Sequence, residues 1–239
     1  MKRLLVVLDF DGLLLDSYAI IRDTFADFAL DVGDEQRFRN RRKFLKYFGG
    51  GREMLGNLTR FALPKKRRLR TALTAHYRTS GRLFTQFVPY INACIAAPAV
   101  HIGIVSRNFT LEPGATIRHV LRTSGVAERD LDFVIPLSVG SSKDEVVAAM
   151  ASPRYHVSLL AGDEIGDYRA ALRSGYTPLV ASYGFDAPAR LRMRGEVPEE
   201  LLFATPETLA ARLWQLSALY LDADAPARPV PAQQPELAA

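Results

Sequence analysis

Apolar residues fall along this chain in short continuous runs, separated by longer stretches of helical periodicity. The first run, Leu4-Leu5-Val6-Val7-Leu8, does not alternate with polar residues, which is the pattern of a strand buried on both faces. Similar runs recur at Val100–Val105, Phe133–Pro136, Val157–Ala161 and Pro178–Ala181, with helical patterns between them. One of these, Asp167–Ser174, is closed by Gly175. Strands alternating with helices predict an α/β fold with a parallel sheet. Residues 18–84 break the alternation. They hold helix-like stretches around Gly49-Gly50-Gly51 and Pro64 and no strand pattern, and so predict an all-helical insert after the first strand. From Asp222 onward large apolar residues are too few to pack, so residues 222–239 are expected to form a disordered tail.

Composition changes this picture little. A chain of 239 residues with 48% hydrophobic and 24% charged content can bury a sizeable core without covalent staples. The single cysteine, Cys94, excludes an internal disulfide and a cysteine metal cluster, and is expected to serve as a small buried apolar residue. Met1-Lys2-Arg3 before an apolar run mimics a signal peptide, but the run is too short and Asp9 ends it. No stretch approaches a membrane span, and a cytoplasmic protein is expected. Charge is distributed unevenly. Residues 37–82 carry fifteen Lys and Arg against Glu53 alone, a formal +14, so the rest of a chain totalling +5 carries −9. Such a field draws anions toward the insert, whether a small substrate or nucleic acid; a solvated helix surface rich in arginine explains it equally well.

Chemistry enters where the strands end. The first strand breaks into Asp9-Phe10-Asp11-Gly12, and strand alternation sends Asp9 and Asp11 to one side with Phe10 opposite. Two carboxylates held together repel unless a cation or a proton compensates. Gly12 follows where the backbone must turn sharply or admit a close neighbour. Three further strand ends carry matching groups: Ser106-Arg107-Asn108, then Ser141-Ser142-Lys143 at a helix start, then Gly162-Asp163-Glu164-Ile165-Gly166-Asp167. Ligands of parallel sheets collect at the carboxyl ends of strands. Together these residues suit a hard cation held by carboxylates, and a phosphate held by a hydroxyl and an ammonium.

In this arrangement the sequence resembles the phosphatase branch of the haloacid dehalogenase superfamily. Asp9-Phe10-Asp11-Gly12 with Asp16-Ser17 resembles that family's first motif, Ser106 its second, Lys143 its third, and Gly162-Asp163 through Asp167 its fourth. The resemblance implies a Rossmann-like three-layer core of residues 1–16 and 85–221, with a helical cap of the phosphoglycolate phosphatase type at residues 17–84. It implies that Asp9 is the nucleophile and that Asp11 is the acid and then the base. Mg²⁺ would be held by Asp9, the Asp11 carbonyl, Asp163 and Asp167, and the phosphoryl oxygens by Ser106, Arg107 and Lys143. The expected activity is Mg²⁺-dependent hydrolysis of a small anionic phosphorylated metabolite through an aspartyl-phosphate. Within the cap, Arg52 after the triple glycine is the candidate specificity residue.

The presence of Asp11 favours phosphate ester chemistry, because relatives that dehalogenate carbon lack an acid there. Mutase relatives keep both aspartates, so a sugar-phosphate mutase stays open. So does a polyanion- or nucleic-acid-binding protein with a vestigial core, although an intact catalytic set argues against it. A phosphoacceptor signalling domain also groups such residues, but needs neither Asp11 nor the insert. Glu164 departs from the family pattern, either as an outer partner of the metal site or turned away from it.

Overall fold

The computed structural model describes residues 3–30, 35, 39, 63–138 and 141–221. Arg52, the triple glycine and the tail lie outside them. Six parallel strands form one sheet: β1 (Leu4–Leu8), β2 (Val100–Ser106), β3 (Phe133–Pro136), β4 (Val157–Gly162), β5 (Thr177–Ala181) and β6 (Leu202–Phe203). Their spatial order is β3-β2-β1-β4-β5-β6. The order reverses at β1, which pairs with β2 on one side and β4 on the other. In doubly wound sheets this reversal opens the ligand crevice at the carboxyl ends of the flanking strands.

The continuous apolar runs are explained by two cores, one on each face. Leu4, Val6 and Leu8 of β1 face one of them, with Ile102 and Ile104 of β2 and Leu159 of β4. Leu5 and Val7 face the other, with Val105 and Leu160. Every residue of β1 is therefore buried, and alternation of side chains across the strand leaves no position for a polar group until the strand ends.

The helices described are α1 (Ser17–Ala26), α2 (Leu63–Ser80), α3 (Phe87–Ala96), α4 (Pro113–Thr123), α5 (Lys143–Met150), α6 (Ile165–Arg173), α7 (Pro188–Gly195) and α8 (Pro206–Ser217). The described part of the insert is helical, as its sequence predicts, and α1 packs on α2. Asp16 caps α1 by accepting from the Ala19 amide at 3.3 Å. Cys94 is fully buried in α3. Helix α6 starts two residues earlier than its apolar pattern suggests, and Gly175, with φ +71°, follows its end. Among the described residues, no helix is long and apolar enough to cross a membrane.

Candidate active site

At the carboxyl end of β1 the Asp9 amide still bonds to the Ala161 carbonyl of β4 at 2.9 Å, so Asp9 extends the sheet by one residue. Its Oδ1 accepts its neighbour's amide, Phe10 N–H, at 2.8 Å. The chain then turns at Gly12, whose φ of +79° is a left-handed conformation that a side chain strains. A Cβ there would overlap the Asp163 carboxylate, so glycine also serves the close approach.

Asp163 and Asp167 come from the end of β4 and the first turn of α6. Carboxylate oxygens of Asp9, Asp163 and Asp167 lie within 4.8 Å of one another, and all three residues are buried. Backbone amides aim the two later ones. Asp167 Oδ2 accepts from the Asp163 and Glu164 amides, each at 3.1 Å. Asp163 Oδ2 accepts from Phe185 N–H at 2.6 Å. The loop after β5 that supplies Phe185 is pinned in turn by Asp186, which accepts from the Ile165 amide at 3.0 Å and from Arg190 Nε at 2.8 Å. Glu164 stands outside the trio, at the N-cap position of α6.

Lys143, the first residue of α5, places its ammonium 3.1 Å from Asp9 Oδ2 and 2.6 Å from Asp167 Oδ1. Arg107 donates through Nη2 to the Ser141 carbonyl at 2.7 Å, bracing the segment that leads into Lys143. Ser106 sits at the end of β2, fully buried. Its hydroxyl has no hydrogen-bond partner among the described residues. Leaving a buried hydroxyl unpaired costs about 1–3 kcal/mol, and a ligand oxygen at the strand end is one partner that would complete the bond.

Asp11 has different surroundings. Its Oδ1 accepts from Ser17 Oγ at 2.8 Å and from Tyr77 Oη at 2.6 Å, and its Oδ2 accepts from Asn108 Nδ2 at 3.0 Å. Asn108 follows Ser106 by two residues and was within reach of a sequence reading, whereas Tyr77, Asp186 and Gly184 carried no motif. Beside these groups opens a pocket walled by Gly12, Ser17, Arg39, Phe84, Tyr183 and Phe185. Arg39 donates to the Tyr183 carbonyl at 2.6 Å and pairs with Glu35.

The donor set suits a divalent cation. Three buried aspartates, Asp9, Asp163 and Asp167, cluster beside the Lys143 ammonium, which pairs with Asp9 and Asp167, and buried charge of one sign needs compensation. Oxygen donors are those that hard divalent cations take. Gly12 and Gly184 keep the Asp163 carboxylate uncrowded, since a Cβ at either would overlap it.

Comparison with solved structures finds this architecture elsewhere. A haloacid dehalogenase-like hydrolase from Streptococcus pneumoniae aligns with a TM-score of 0.57 at 18% identity, over 87% of this chain and 97% of its own. A protein described as a predicted phosphatase from Clostridium acetobutylicum gives 0.57 at 16%, over 90% and 100%. Protein tyrosine kinase A of Mycobacterium tuberculosis gives 0.58 at 20%, over 89% and 98%. No protein-family model matches the sequence, and no curated protein matches it. At these identities the likeness is one of fold: the chain has the fold of the haloacid dehalogenase-like hydrolases.

Proposed function

We propose that the protein is a Mg²⁺-dependent phosphoric monoester hydrolase acting on a small anionic metabolite. The observation that carries this reading is the meeting of Asp9, Asp163, Asp167 and Lys143 at the switch point of the sheet, beside the Ser106 hydroxyl, which is unpaired among the described residues. A phosphoryl group needs a nucleophile, positive charge and donors on its oxygens, and exclusion of bulk water. All of these residues stand at ends of strands or starts of helices, which are rigid supports.

In this reading the Asp9 carboxylate attacks phosphorus, and the bond to the leaving oxygen breaks as the aspartyl-phosphate forms. Asp11 gives its proton to that oxygen. It then takes a proton from water as the water attacks phosphorus and releases Asp9. Ser106 and Lys143 hold phosphoryl oxygens, and Arg107 supports them through the segment before Lys143. The cation would be held by Asp9, the Asp11 carbonyl, Asp163 and Asp167, and would neutralise charge on the phosphoryl oxygens.

Residues 17–84 are proposed as a helical cap over a core of residues 1–16 and 85–221. The cap's excess of positive charge suits a substrate with negative charge beyond the reacting phosphate. Among the described residues of that basic stretch Arg39 lines the pocket, and Arg52 is a second candidate for reading the substrate. The test is phosphate release from 4-nitrophenyl phosphate and from a panel of phosphorylated metabolites. Release with Mg²⁺, its loss in excess chelator and its recovery on adding Mg²⁺ back are expected. A mutase keeps the same two aspartates, so free phosphate is the readout to follow. Release that ignores the chelator, or no release from any ester, overturns the proposal.

A further inference from the structure

We propose that Tyr77 is a positioning residue for the leaving-group acid, and that Asp11 exchanges its proton through Oδ2. This rests on the hydrolase reading above, because it assigns a role within that reaction. Two hydroxyls, Ser17 Oγ at 2.8 Å and Tyr77 Oη at 2.6 Å, both donate to Asp11 Oδ1. An sp² oxygen has two lone pairs, so these donors engage both. Proton exchange then falls to Oδ2. The pattern serves both forms of the acid, since a protonated carboxyl with its hydrogen on Oδ2 leaves Oδ1 as a carbonyl that still accepts both hydroxyls. Asn108 donates to Oδ2 at 3.0 Å, and its amide cannot turn over, because its oxygen accepts from the Thr110 amide at 3.1 Å and Thr110 Oγ1 at 2.6 Å.

Helix α2 governs both sides of this arrangement. Arg70, Thr74, Tyr77 and Arg78 follow the spacing that puts residues on one helical face. Arg70 donates through Nε to the Phe109 carbonyl at 3.1 Å and through Nη2 to the Thr110 carbonyl at 2.7 Å. Thr74 Oγ1 accepts from Leu111 N–H at 3.0 Å, and Arg78 pairs with Glu112 at 2.6 Å. The helix therefore reaches Asp11 directly through Tyr77, and a second time through the loop that carries Asn108. Tyr77 is only 2% exposed, so bulk water does not compete for its hydroxyl. A buried tyrosine hydroxyl needs some acceptor, and here that acceptor is the carboxyl that must carry a proton to the substrate.

The experiment compares Tyr77→Phe with the wild type on phosphate monoesters of graded leaving-group basicity, from 4-nitrophenyl to simple alkyl phosphates. A 4-nitrophenolate leaves without help, whereas an alkoxide needs the proton. The variant should lose roughly 10- to 100-fold in kcat/KM on alkyl phosphates and stay within about twofold on the nitrophenyl ester, a part of the roughly 100- to 10,000-fold that a general acid supplies. An equal loss on every ester would show a structural role and overturn the proposal, as would no loss on any. Ser17→Ala removes the other donor to Oδ1 without touching the α2 core and should show the same selective loss. It decides the matter if Tyr77→Phe does not fold, and a flat response there overturns the proposal too. A wild type that releases no phosphate sinks the hydrolase reading itself. An active wild type with flat variants sinks only the role given to Tyr77 and Oδ2.

Discussion

Asp9 and Asp11 stand two residues apart on one strand end, yet they occupy opposite kinds of environment. Around Asp9 the neighbours are charged: the Lys143 ammonium at 3.1 Å, with Asp163 and Asp167 close by. Around Asp11 the named donors are neutral: two hydroxyls and an amide. A charged, cation-binding setting keeps a carboxylate ionised and able to attack. Neutral donors fix the orientation of a carboxyl and place no net charge beside it. In the proposed reaction the same residue type takes two tasks, and these different surroundings suit that division.

The largest test of this difference is to replace each aspartate by its amide. Asp9→Asn should reduce phosphate release by about 1,000-fold or more on every ester, since the amide cannot form the covalent bond. In kcat/KM, which reports steps up to departure of the leaving group, Asp11→Asn should cost about 100-fold or more on alkyl phosphates and much less on 4-nitrophenyl phosphate, while kcat should fall on both because the base for the water is lost as well. Its Mg²⁺ requirement should stay near that of the wild type, because the backbone carbonyl remains. If both variants showed the same leaving-group dependence, the division of labour between the two halves would be wrong.

The two halves also differ in how far they could be read from sequence. On the Asp9 side each residue announces itself, since the apolar runs of β1 and β4 and the helix start at Lys143 each end in a charged group. That part follows from local rules: buried strands exclude charge along their length, so charge at the strand end stands out. Asp11 itself is equally visible, and its partners Ser17 and Asn108 stand among the motif residues. Tyr77 is the exception, 66 residues away with nothing around it to distinguish it from a helical core aromatic. Glu164 shows the same limit in reverse, because three acids in six residues look like three ligands until the start of α6 makes one of them a cap residue. Strand β6, with two residues, is too short to leave a pattern in an apolar count.

A smaller effect sharpens the metal side alone. Gly184 lies against Asp163, and a Cβ there would overlap its side chain, while the Phe185 amide next to it donates to Asp163 Oδ2. Gly184→Ala must push the carboxylate away or move the loop, and overpacking of this kind costs about 1–3 kcal/mol. The expected result is a lower melting temperature and a several-fold higher Mg²⁺ concentration for half-maximal activity. The selectivity among leaving groups should not change, because Asp11 is untouched. A change in that selectivity would mean that the two halves move together.

The smallest effect sets the pH range in which the halves can be compared at all. Burial raises the Tyr176 hydroxyl from its usual 10 to about 12, and burial likewise raises those of Tyr90 and Tyr220. Tyr176 donates to the Val147 carbonyl at 3.1 Å, away from the aspartates. The folded chain therefore holds a proton that the unfolded chain releases near pH 10. Its contribution to stability is complete below pH 10 and is lost as pH rises toward 12. Melting temperature should show no fall from this source up to pH 10 and should decline above it. Absorbance of ionised tyrosine should rise together with unfolding. Tyr176→Phe should flatten that decline slightly, since the remaining buried tyrosines still contribute. Losses of turnover as pH rises toward 10 then do not come from this proton. A melting temperature that already falls between pH 8 and 9 would assign those losses to another group of the fold and overturn the account given for Tyr176.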